Sequence, residues 1–123
     1  MITPAQRVTA FRFLLALALT FAVTMAILPD PPHLPTTGWG DKINHMLAFA
    51  LLALLAANAY PAEPLWRIGE RLSFLGALIE VIQSIPGLHR DCDILDWIAD
   101  TFAVSVLLLL VAAVRAGRRS RTV

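Results

Sequence analysis

Apolar residues fall along the chain in four long blocks, separated by short breaks rich in proline, glycine or charge. The first block, 8–28, is uncharged after Arg12. The second, 43–60, carries Asn44 and His45 near its start and Asn58 near its end. The third, 72–85, is short, is interrupted by Glu80 and Gln83, and reaches spanning length only if its helix starts near Leu65. The fourth, 94–114, has Asp96 and Asp100 in its first turns. A helix that crosses a bilayer needs about 20 mostly apolar residues. The pattern therefore predicts an all-α chain, a four-transmembrane-helix bundle with spans near 8–28, 43–60, 65–85 and 94–114. The breaks agree with it. Pro29, Pro31, Pro32 and Pro35 forbid a continuous helix through the first connection. Pro61 and Pro64 close the second block, and Pro86-Gly87 close the third. No internal repeat is evident, and residues 1–123 read as one membrane domain.

Composition strengthens this reading. Apolar residues make up 58% of the chain and charged residues 15%, against about 45–50% and about 25% in ordinary soluble domains. The mean hydropathy is +0.70. So little charge cannot cover a soluble domain of this size. Disorder is excluded, and a disulfide scaffold or a nucleic-acid-binding function is disfavoured. The first block is longer than the h-region of a signal peptide, and Thr24-Met25-Ala26 is a poor cleavage site, so a retained helix is expected.

The few charges are sorted. If four helices alternate in direction, eight of the ten basic residues (Arg7, Arg12, Arg67, Arg71, Arg115, Arg118, Arg119 and Arg121) fall on one side and only Lys42 and Arg90 on the other. By the positive-inside rule both termini are expected in the cytoplasm. The opposite side collects seven of the nine acids, all but Glu63 and Glu70. His45, Glu80, Gln83, Asp96 and Asp100 each lie roughly 5–10 Å inside that side, at 1.5 Å per residue. Helical spacing aligns them: Asp41, His45 and Phe49 on one stripe, Ser73, Gly76, Glu80 and Gln83 on another, and Asp93, Asp96 and Asp100 on a third. Ionisable groups inside a membrane are costly and point to function by default. Glu80, between Ile79 and Val81, has no capping role to explain it. Asp96 has one, at a helix N-terminus, and Asn44, Ser73 and Gln83 suit interhelical hydrogen bonding.

In order, the polar residues read Asp41-Lys42-Ile43-Asn44-His45, Glu80-x-x-Gln83, Pro86-Gly87, Arg90, Asp93-x-x-Asp96 and Asp100-Thr101. This set resembles the VanZ-like family of small polytopic bacterial membrane proteins, over about residues 40–106. The family's loop more often has Arg directly after Gly, where Leu88 and His89 intervene here, and its glycines after the last pair stand as Ala103 and Val106. The resemblance implies a multi-pass protein of the bacterial inner membrane, working near the cell envelope, with a link to glycopeptide susceptibility. It implies no settled reaction.

The residues support several chemistries. In a lipid-facing enzyme, His45 is the candidate base or nucleophile, oriented by Glu80 or Asp100. Lys42, Gln83, Arg90 and Asp96 are candidate binding residues, with Lys42 and Arg90 placed to hold a phosphate at the rim. The partner expected is a membrane lipid or a lipid-linked envelope intermediate, with no nucleic acid. No cofactor or metal is assigned, although Asp93, Asp96 and Asp100 are of the type that holds Mg²⁺. The same residues suit a non-catalytic lipid binder, a small proton-coupled transporter, or a scaffold of a membrane complex. Small exporters of that size carry their key Glu in the first helix, which has no acid here. Cys92 is the single cysteine and flanking acids should raise its pKa. Trp39, Tyr60, Trp66 and Trp97 suit interface anchors.

Overall fold

In a computed structural model, the described residues are 1–35, 37–88 and 92–123, with only the backbone of Thr37. They form four α-helices and no strand: α1 (Pro4–Ile27), α2 (Asp41–Ala59), α3 (Leu65–Gln83) and α4 (Ile94–Arg121). Local chemistry sets the ends. The α1 start is a capping box, in which the Thr3 hydroxyl accepts from the Gln6 amide and the Gln6 side chain accepts from the Thr3 amide, with Pro4 in the first turn. Gly40 precedes α2 with φ +92°, a backbone conformation that side chains disfavour. Asp93 caps α4 through its side chain, which accepts from the Leu95 amide at 2.9 Å.

Three of the four helices, α1, α2 and α4, are long and apolar enough to cross a membrane. The third block was expected to be a span as well, and α3 falls short of that standard. It carries Arg67, Glu70, Arg71 and Glu80 within its 19 residues. Conversely, α4 continues to Arg121, past the expected limit at 114. Its 28 residues reach about 42 Å, more than the roughly 30 Å hydrocarbon thickness. Its last turns carry Arg118, Arg119 and Arg121, where cations favour a helix C-terminus.

The small face of α2 puts it at the centre, packed against α1, α3 and α4. Ala53 and Ala57, one turn apart, are wholly buried, and small residues at that spacing let helices approach closely. Leu52, Val104, Leu108 and Ile68 fill the space around them. Large apolar side chains also cover the outside, among them Phe13, Leu51, Phe74, Phe102 and Leu109. Such an exterior suits lipid, not water.

Both chain ends lie at the end of the bundle where α2 terminates. Arg12 of α1 donates to the Ala59 carbonyl at 3.0 Å and stacks 4.9 Å from the Tyr60 ring. Arg115 of α4 donates to the Ala57 carbonyl at 2.7 Å. Two cations thus satisfy carbonyls left open in the last turn of α2, and complement its dipole. Arg12→Ala and Arg115→Ala should each cost about 1.5 kcal/mol, the lower end for a charged hydrogen bond because the contact is partly open. Reversible unfolding in mild detergent should show this loss for both variants, and none for the exposed Arg118→Ala.

Candidate functional site

At the other end of the bundle α2, α3 and α4 bring their polar stripes together. His45, Glu80 and Asp96 each place a nitrogen or carboxylate oxygen so that all three atoms lie within 4.8 Å of one another. The Asp100 carboxylate faces His45, with Oδ2 3.8 Å from Nδ1. Lys42 caps the cluster, its Nζ 3.3 Å from Asp96 Oδ1 and 3.8 Å from Asp93 Oδ2. Glu80 and Asp100 are buried, at 7% and 3% exposure, and His45 and Asp96 are half-buried.

Glu80 has two different oxygens. Oε2 accepts the Asp93 backbone amide at 3.0 Å, which ties the start of α4 to the end of α3. Oε1 is buried and has no hydrogen-bond partner among the described residues. Asn44 Oδ1, His45 Nδ1 and Asp100 Oδ1 are also buried with none among those residues. Buried polar atoms are rarely left so, and four at one end of a small bundle single out that region.

The remaining sequence-predicted residues are placed differently. Gln83 is buried, and its amide donates to the Ala26 carbonyl of α1 at 2.8 Å. That side chain joins α3 to α1. Arg90 and His89 lie outside the described residues. Asp93, Asp96 and Asp100 do not form one ligand set: Asp93 caps α4 and pairs with Lys42, while His45 and Glu80 face Asp96.

Trp97 also packs within the bundle. Its Nε1 donates to the Ser73 carbonyl at 3.0 Å, and its ring packs over Gly76. Ser73 and Thr101 exchange a hydroxyl hydrogen bond at 2.9 Å one turn below. The interhelical bond expected of Ser73 and the close packing allowed by Gly76 are both found here, while the part played by Trp97 was not foreseen. A methyl at Gly76 would meet Trp97 Cδ1 at 3.3 Å and Phe49 Cζ at 3.5 Å.

A cavity of about 430 Å³ opens beside the cluster, between α1, α2 and the proline-rich connection. Phe21, Ala22, Met25, Phe49, Leu52 and Ile79 form apolar wall. Asp41, Asn44 and His45 supply its polar end. The volume is in the range of small-ligand pockets.

Two outcomes follow. Gly76→Val should wedge Trp97 and Phe49 apart and lower the thermal midpoint in detergent by several degrees. Gly76→Ala should stay near the parent, because its helix-propensity gain offsets a mild contact. Cys92 is exposed. Its thiol is held above its ordinary pKa by partial desolvation first, then by the Glu80 carboxylate that accepts its S–H, then by repulsion from Glu80, Asp93 and Asp96. Less thiolate is present near neutral pH, so iodoacetamide should react more slowly with Cys92 than with a free thiol. Glu80→Gln should speed the reaction.

Comparison with protein-family models, with curated proteins and with solved structures gives no match.

Proposed function

We propose that the chain is a VanZ-like protein of the bacterial cytoplasmic membrane, crossing it four times with both termini inside. Its polar site then faces the extracytoplasmic side and binds, or acts on, a lipid-linked component of the cell envelope. The observation that carries this reading is the cavity: apolar walls from α1 and α2 lead to a polar end at Asp41, Asn44 and His45. Such a cleft suits an amphipathic molecule, with its chain along the walls and its headgroup beside His45.

Two features favour α3 as a fourth span. Arg67, Glu70 and Arg71 are confined to its first seven residues, at the end where Arg12 and Arg115 lie. Beyond them its outer face is Phe74, Leu78, Val81 and Ile82, a surface that belongs in lipid. The basic residues at the end shared by the termini favour the cytoplasm for that end.

Ala22→Phe fills the cavity and His45→Ala removes its polar end. Native mass spectrometry of protein released from mild detergent should show a lipid enriched over its bulk abundance in the parent and depleted in both variants. Bulk lipids at equal levels in all three would overturn the reading. In intact spheroplasts, a membrane-impermeant maleimide should label Cys92 slowly, and should leave a cysteine introduced by Ser120→Cys in a Cys92→Ser background unlabelled. The reverse pattern would invert the orientation.

A further inference from the structure

We infer that His45, Glu80 and Asp96 form a site for one first-row divalent cation of the Zn²⁺ or Mn²⁺ kind, oriented by Asp100. The inference stands on side-chain geometry alone and holds whatever ligand enters the cavity.

Three helices each contribute one donor, and the three donor atoms already lie within 4.8 Å of one another. Ligands of a tetrahedral ion at about 2.1 Å stand about 3.4 Å apart. Closing that difference takes side-chain adjustment of about an ångström, with no helix movement. The acids do not rest on one another by chance of surface crowding, since Glu80 is 93% removed from solvent by its 7% exposure. Its Oε2 is fixed by the Asp93 amide, so Oε1, without a partner among the described residues, is the atom left to ligate. Asp100, 3% exposed, sets Oδ2 3.8 Å from His45 Nδ1. Drawn in to hydrogen-bonding distance when a metal binds, a carboxylate so placed orients a ligating histidine and raises its basicity.

Charge points the same way. Four carboxylates, Glu80, Asp93, Asp96 and Asp100, meet at this end, and Lys42 is the described cation paired with them. Lys42 bonds Asp96 through Oδ1, and the other oxygen of that carboxylate is its remaining donor. A divalent ion supplies the charge that one half-exposed lysine does not. One imidazole with two carboxylates suits Zn²⁺ or Mn²⁺ better than Mg²⁺ or Ca²⁺, which prefer all-oxygen sets.

The test uses the full chain purified in mild detergent, stripped with chelator, then dialysed against Zn²⁺ or Mn²⁺. Elemental analysis should find about one ion per chain in the parent. His45→Gln and Glu80→Gln should retain less than a tenth of that. Asp100→Asn should weaken affinity by about 10–100-fold in a titration followed by tryptophan fluorescence. Lys42→Met should bind at least as tightly as the parent, because it removes a competitor for Asp96. Circular dichroism and gel filtration identify variants that stay folded, and Co²⁺ spectra of the parent report whether nitrogen and carboxylate oxygen are ligands. A folded parent without bound ion, or folded His45→Gln and Glu80→Gln proteins that hold as much as the parent, would overturn the inference. Loss of the ion with the cavity lipid retained separates this result from failure of the lipid reading.

Discussion

The bond from the Asp93 amide to Glu80 Oε2 joins the last turn of α3 to the first turn of α4 across the loop between them. Much of the site's geometry depends on it. With the start of α4 held there, Asp96 and Asp100, three and seven residues on, turn toward α2 and meet His45. The bond also gives one oxygen of a costly buried carboxylate a partner. A lipid exterior offers no water to replace it, so polar groups at this depth must be satisfied from within the bundle.

The two ends of the bundle use opposite charges for different work. At the end that holds the termini, Arg12 and Arg115 complete the last turn of α2. Long cationic side chains do this at modest cost, because their stems lie along apolar helices while their heads reach carbonyls. At the opposite end, short acids on α3 and α4 surround the imidazole that α2 supplies. Asp and Glu cannot reach out to water as Arg does, so their burial commits them to partners inside. One end is therefore a structural cap, and the other holds the polar atoms left unpaired among the described residues.

Much of this was legible in the sequence because helical period and membrane depth are both simple functions of residue number. Spacing alone placed His45, Glu80, Asp96 and Asp100 on inward stripes at one level. Partners across helices were not legible. Gln83 shares the stripe of Glu80, yet one turn of helix carries its amide to Ala26 of α1. Trp97 reads from sequence only as an interface anchor, and its packing over a glycine on the facing helix was not visible there. The central place of α2 was written in Ala53 and Ala57, residues whose smallness reads as mere hydrophobicity. The end of α4 was misjudged because apolarity stops near Val114, whereas helix formation does not: Ala and Arg are strong helix formers and Arg favours the C-terminal turn.

The balance of charge restricts what can enter the site. Read from spacing, Lys42 seemed free to hold a phosphate. In the fold it is paired with Asp93 and Asp96. A phosphate brought to this end would meet the repulsion of several carboxylates and would find that lysine engaged. Among the described residues, Lys42 is the cation set against those carboxylates, and at low dielectric their repulsion is strong. An anionic headgroup therefore needs added positive charge between itself and the acids, and a ligand without phosphate needs none. A divalent ion held by His45, Glu80 and Asp96 would offset most of that negative charge and offer an open position to an anionic oxygen beside His45, at the polar end of the apolar cavity. The acids that seem to forbid an anionic lipid are, with that ion in place, what would bring it within reach.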